Sequence, residues 1–421
     1  MPGITALPSP WKAQRRAVGS KRESSQNNSY QRLSSNRWRP ISLKNSAPPQ
    51  HVDVLIAHGL LLDQLVAESG SERLRDRIYG RAPRLTPGDF PAGVMAPTDD
   101  VVRIPTRPLV IGLVPRGSSA PVLWAAGDAE HVGLFRAAYA IEVKVEPFNR
   151  EEDLRRALMR GGDHGGVDLA ALPVSSVAMS ASLLRDAAPR VVMLLGRSRG
   201  HEQLVARGVS ALPGLAGKRI GVEDRSSAWY LLLWSLSRVG LSLRDVRLVP
   251  LDDAYSAGAA LRRGDVDAAV GFKGDLEGAL QEPDTMVLAS TADAPHLTAT
   301  VLVTRGDFAA RYPDALRRVI RGVLDANQQT LRDVTATARV LGTLAPQLGD
   351  PVQAISQAPP STLKDNLDFF GIADEAPVTY VELFTSASAL NSKLFAAPPG
   401  PEAEDTVDLG PLKYVASSQN Q

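Results

Sequence analysis

From Arg107 onward, short apolar runs alternate with amphipathic stretches. "PLVIGLV" (108–114) is continuous and β-branched, which predicts a buried strand, and "SSAPVLWAAGDAEHVGLF" (118–135) predicts a helix. "IEVKVEPF" (141–148) alternates with period two, "REEDLRRALMRGG" (150–162) reads as a charged helix, and "GVDLAAL" (166–172) as a strand. "PRVVMLLG" (189–196) and "QLVAR" (203–207) continue as strands. A second round follows: "KRIGVED" (218–224), an oily helix from Ser227, "VRLVPL" (246–251), "YSAGAALRRGD" (255–265) and "VDAAVGF" (266–272). "HLTATVLVTRGDFAARYPDALRRVIRGVLDANQQTLRD" (296–333) adds a strand and a long helix, and further helices run past Phe370.

Strands alternating with helices of this length predict βαβ units. The two rounds repeat the same order, so the expected fold is α/β with two similar lobes, each an open, mainly parallel sheet flanked by helices. The expected division places lobe 1 at 106–197 plus 298–415 and lobe 2 at 198–297. Hinge strands are expected near 194–206 and 286–304.

Upstream the pattern differs. Residues 1–50 hold nine Lys/Arg against the single acid Glu23, with few aliphatics, a composition that cannot offset its ordering entropy. Residues 1–105 are therefore expected to be a basic, largely disordered extension. Within it 52–68 has the spacing of one amphipathic helix, and Pro and Gly crowd 80–97 like a linker. The basic block shows no helical spacing, so no nucleic-acid partner is expected from it. Met95 is a plausible alternative start, and from Met1 no apolar h-region of a secretory signal is expected.

Composition then narrows the chemistry. The 421 residues are 44% hydrophobic and 22% charged with a formal charge of +1, ordinary for a globular protein without a polyanionic partner. The absence of cysteine removes disulfides, thiolate metal sites and a cysteine nucleophile. The six histidines show no HxH or HExxH spacing, and there is no GxSxG elbow, P-loop or GxGxxG after a strand. No metal, cofactor or catalytic residue is expected.

In open α/β sheets ligands bind beyond the carboxyl ends of the strands. That rule selects the loops 115–121, 172–178, 223–229 and 271–275. Three carry a Ser-Ser pair before an apolar helix: Ser118 and Ser119; Ser175 and Ser176, preceded by Pro173; Ser226 and Ser227. Serine there either caps the helix or joins its positive end in holding an oxyanion, and both readings stay open. Arg116 and Arg225 are candidate bidentate grips on such an anion, with Lys273 behind them, though each is equally a surface residue or an ion-pair partner. Trp229 shares a face with Leu232, Leu233 and Leu236 and reads as core. Tyr230 and Phe272 are candidates to line the cleft.

In their order, "VIGLVP", "EHVGLF", "IEVKVEPF", "LRRALMRGGDHGGVDLAALPVSSVAMS", "LPGLAGKRIGVEDRSSAWYLLLWSLSRVGLSLRDVRLVPL", "ALRRGDVDAAVGF" and "VLVTRGDFAARYPDALRRVI" resemble substrate-binding proteins of ABC importers, of the nitrate/sulfonate/taurine-binding, NMT1/THI5-like type. The resemblance spans roughly Arg107 to Val415. It implies a periplasmic-binding-protein fold, a small anionic solute, a membrane permease and ATPase as partners, a monomer, and a periplasmic location, with the cytoplasm as alternative. The family's usual Gly-Ser is replaced by Glu223-Asp224-Arg225 ahead of Ser226. The competing expectation is a cytosolic enzyme on the same scaffold, a menaquinone-pathway lyase or a pyrimidine-precursor synthase, the latter disfavoured by the missing cysteines.

Overall fold

The computed structural model describes residues 103–128, 131–373, 376–395 and 400–419. The helix expected at 52–68 and the linker after it lie outside the described residues. In chain order come β1 (Leu109–Leu113), α1 (Ala120–Ala126), α2 (Leu134–Ala137), β2 (Val143–Pro147), α3 (Glu151–Arg160), β3 (Leu169–Pro173), α4 (Val174–Met179) and β4 (Arg190–Arg197). Next are β5 (Glu202–Arg207), β6 (Arg219–Val222), α5 (Ser227–Ser237), β7 (Arg247–Pro250), α6 (Ala257–Arg263), β8 (Ala268–Phe272), α7 (Lys273–Leu276) and β9 (Thr285–Ser290). The chain returns through β10 (Ala299–Thr304), α8 (Gly306–Arg311) and α9 (Pro313–Arg332). It continues with α10 (Val334–Leu344), α11 (Pro351–Gln357), α12 (Leu363–Phe369), α13 (Tyr380–Phe395) and α14 (Gly410–Gln419).

Two five-stranded sheets result, ordered β2-β1-β3-β10-β4 and β7-β6-β8-β5-β9. Each is mainly parallel with one reversed strand. β10 runs antiparallel to β3 and β4, and β5 antiparallel to β8 and β9. The reversal follows from how the chain changes sheets. It leaves β4 at its carboxyl end, crosses in 198–201, and must begin β5 from the same edge. It leaves β9 likewise and re-enters through β10. So each sheet presents to the other the carboxyl ends of four strands and the amino end of a fifth.

One repeated element ties the sheets to their sequence. Asp168, just before β3, accepts two 2.7 Å bonds from Arg107 and one of 2.8 Å from the Val110 N–H. Asp267, just before β8, accepts 2.8 Å bonds from the Arg219 side chain and its backbone N–H. The recurrent "VD" of the two rounds is thus a clamp on the start of each central strand.

One expectation is corrected, and one helix is buried on every side. The helix across 118–135 is broken: Gly127 takes φ +82 and its backbone bridges to Val132, a turn where a Cβ would meet the His131 carbonyl at 2.4 Å. And α5 has no solvent face, because Ser227 to Leu236 are all buried where the helix lies between the second sheet and α4. Along the outer edge, β4 is covered by the late helices. Asn366 of α12 accepts from the Leu194 N–H (2.7 Å) and donates to its carbonyl (3.0 Å), pairing an edge that would otherwise be open.

Candidate functional site

The carboxyl ends of β1, β3, β6 and β8 converge on one buried polar junction. Arg116, in the loop after β1, is 2% exposed. Its Nη2 donates to Glu151 at 2.6 Å, and its Nη1 donates to Glu202 at 2.7 Å and to the Ser227 hydroxyl at 3.1 Å. The guanidinium carbon lies 4.8 Å from the Phe272 ring centroid. Phe272 in turn stacks on His201 (4.4 Å) and meets the edge of Tyr255 (5.2 Å). Tyr255 donates to the Pro115 carbonyl at 3.1 Å, closing the ring of contacts between the halves.

Two helix amino ends face each other across this junction and exchange carboxylates. Glu151, the first residue of α3, accepts on Oε1 from the Ser227 N–H (3.3 Å) and hydroxyl (3.4 Å) at the start of α5. The Glu151 N–H donates to Glu223 Oε1 at 2.9 Å. Each helix end, with its unsatisfied N–H groups and partial positive charge, therefore receives an anion or acid from the other half. Arg155 joins the set, donating to Ser176 (2.5 Å) and to the Arg225 carbonyl (3.3 Å).

The electrostatics follow from burial and pairing. Burial alone would lower the Arg116 pKa, but Glu151 and Glu202 more than offset it and the net shift is upward. For Glu202 burial pushes upward, while Arg116, His201 and the Ser198 and Ser227 hydroxyls bring the net shift below the ordinary carboxyl value. Glu223 goes the other way, pushed up to about 8 by burial and by the Glu151 carboxylate. It is protonated at pH 7, leaving two arginines against two carboxylates. His201 is lowered to about 4 by burial, so it is neutral.

The candidate residues fall into distinct places. Ser227 and Phe272 both contact Arg116, and Ser176 is bonded by Arg155. Ser226 is a cap, its hydroxyl accepting from the Trp229 N–H (3.1 Å) and donating to the Glu223 carbonyl (2.9 Å). The hydroxyls of Ser118, Ser119 and Ser175 are buried without a hydrogen-bond partner, so none of the three is a cap. Arg225 meets the junction through its backbone carbonyl, which accepts from Arg155. It takes φ +52 and pairs with Asp224 at 3.8 Å. Tyr230 is buried in the hydrophobic core cluster. Pro173 ends β3 opposite Thr300. Lys273 donates its backbone N–H to the His201 carbonyl (2.8 Å), and its amine sits 3.3 Å from the Gln353 side-chain amide group. Glu151, Arg155, His201, Glu202 and Tyr255 are absent from the loops chosen by sequence. The available signal was an acid heading an apolar strand, "EQLVAR", but only the reversed direction of β5 brings it to the junction.

A two-sheet protein whose strand ends meet in this way matches known families. Residues 203–334 are NMT1/THI5 like. Over 184 residues, 42% of this chain, the sequence is 29% identical to the taurine-binding periplasmic protein of Escherichia coli and covers 56% of it. Other curated matches are covered to 44%, so the chain spans about half the length of the curated relatives it matches. Among solved structures, the ligand binding component of an ABC-type import system from Staphylococcus aureus superposes with TM-score 0.57 at 14% identity, covering 73% of this chain and 99% of that one. The periplasmic aliphatic sulphonate binding protein of E. coli gives 0.55 at 17% identity, covering 71% and 91%. These structures share its fold, the two-lobed binding-protein architecture.

Proposed function

We propose that this protein captures a small anionic organic solute between two lobes and delivers it to an ABC-type importer in the membrane. The observation that carries the reading is the junction itself. Both sheets aim strand ends and helix amino ends at one place, where Arg116 is buried, and the loops that follow β1 and β3 hold the buried, unpartnered hydroxyls of Ser118, Ser119 and Ser175. A buried hydroxyl without a partner costs about 1–3 kcal/mol, which a ligand's acceptor atoms would recover. The names of the relatives, taurine and aliphatic sulphonate binders, support a sulfonate or carboxylate class. The lobes are 106–197 with 298–415, and 198–297, with hinges in 198–201 and 291–298. The protein acts as a monomer outside the cytoplasm, and it binds rather than transforms its solute. Among the described residues no helix is long and apolar enough to cross a membrane. Thermal shift and calorimetry over taurine, alkanesulfonates, nitrate and small carboxylates test it. A ligand at a hundredfold its Kd stabilises by about 2.7 kcal/mol. No stabilisation by any anion, or reproducible product formation from one, would reject the reading.

A further inference from the structure

We propose that the Glu151 carboxylate is a tethered anion, holding the position an anionic solute takes in the closed protein and competing with it. The inference rests on the capture reading above.

Three donors converge on one oxygen. Glu151 Oε1 accepts from Arg116 Nη2 (2.6 Å), the Ser227 N–H (3.3 Å) and the Ser227 hydroxyl (3.4 Å). These are the elements of an oxyanion cradle: a guanidinium and the first N–H of an eleven-residue helix. The carboxylate is 1% exposed, yet its Oε2 has no hydrogen-bond partner, with Arg155 the near cation at 3.9 Å. Asp168, by contrast, uses both oxygens on one arginine, with two 2.7 Å bonds to Arg107. Arg116 already has Glu202 at 2.7 Å as a neutralising partner.

Placement in the fold makes the same point. Arg116 and Glu151 follow strands of the first sheet, whereas Ser227 opens α5 beside the second. A carboxylate carried by the first half that engages the helix end of the other bridges the two, which is how a bound solute would favour closure. The unpartnered hydroxyls of Ser118 and Ser119 adjoin Arg116 in the same loop. In the capture reading they are donors available to an anion's remaining oxygens, which a tethered carboxylate leaves unused.

The test compares the full-length wild type with Glu151→Ala and Glu151→Gln at pH 7, using acetate and methanesulfonate as probes. Small-angle scattering reports closure, and calorimetry reports affinity. The alanine variant should expand without anion, contract again with acetate or methanesulfonate, and bind them at least tenfold more tightly than wild type. Should it fail to fold, the glutamine variant, which keeps the volume and loses the charge, should show the same tenfold gain. Variants as compact as wild type and no tighter for either probe would overturn the tethered anion. Wild type that ignores every solute of the panel while the variants respond keeps the tethered anion and removes the capture reading. Wild type that binds a solute while both variants match it does the reverse.

Discussion

Arg116 keeps its charge at 2% exposure because two carboxylates reach it from different directions, Glu151 at 2.6 Å and Glu202 at 2.7 Å. Removing Arg116 or Glu202 from such a set typically costs about 3–5 kcal/mol, so those two residues are poor probes of ligand binding: loss of fold and loss of function would coincide. The unpartnered serines separate the two. Ser118→Ala and Ser175→Ala remove hydroxyls that bond to nothing in the protein, so urea unfolding should shift by no more than about 0.5 kcal/mol, or toward greater stability. Solute affinity should fall at least tenfold, about 1.4 kcal/mol. Destabilisation by more than about 1 kcal/mol with affinity intact would mark them as structural.

At the scale of elements, neighbouring residues at the amino end of α5 do different work. Ser226 closes the first turn of α5 by accepting from the Trp229 N–H, while Ser227 turns its own N–H and hydroxyl outward to Glu151. Ser226→Ala should therefore cost about 1 kcal/mol of unfolding free energy, the usual value of a lost cap, with the contact to Glu151 retained. Chemical denaturation with a loss below about 0.3 kcal/mol would show that the burial of α5 on all sides, not its cap, sets its stability. Close packing also fixes the loop after β1. A Cβ on Gly117 would sit 2.0 Å from the Ala354 carbonyl oxygen, so α11 lies directly on the loop that carries Arg116.

For the whole molecule, the junction makes folding stability depend on pH. Glu223 is raised from 4.5 to about 8, so the folded protein holds a proton there that the unfolded chain releases. Its contribution is complete below about pH 4.5 and is lost as pH rises through 8. His201, lowered to about 4, acts oppositely, and stability gained through it is lost as pH falls below 6.5. Asp275, raised to about 6 by burial, completes its titration below that range. Between pH 6.5 and 8 Glu223 acts alone among these three, and at about 1.4 kcal/mol per unit the loss reaches about 2 kcal/mol. Glu223→Gln keeps an acceptor for the Glu151 N–H and removes the titration, so its stability should be level across this range while wild type falls. Parallel curves for the two proteins in urea titrations at pH 6.5, 7.25 and 8 would refute the assignment.

Local pattern by itself determined the α/β class, because a buried strand and an amphipathic helix each write a period into the chain, and two rounds of that period imply two sheets. It also marked the turns after the strands, where Arg116, Ser227 and Phe272 reside. Tertiary structure decided what those side chains meet. The reversed entry of β5 carries Glu202 to the junction, and the facing of α3 and α5 places Glu151 where a ligand oxygen was expected. It also separated Ser226, a cap, from Ser118, whose hydroxyl has no partner, although both stand in the same Ser-Ser context. The physical reason is range: periodicity and capping act over a few residues, whereas the charge balance at Arg116 joins positions 35 and 86 residues away, which only the folded chain brings within hydrogen-bond reach.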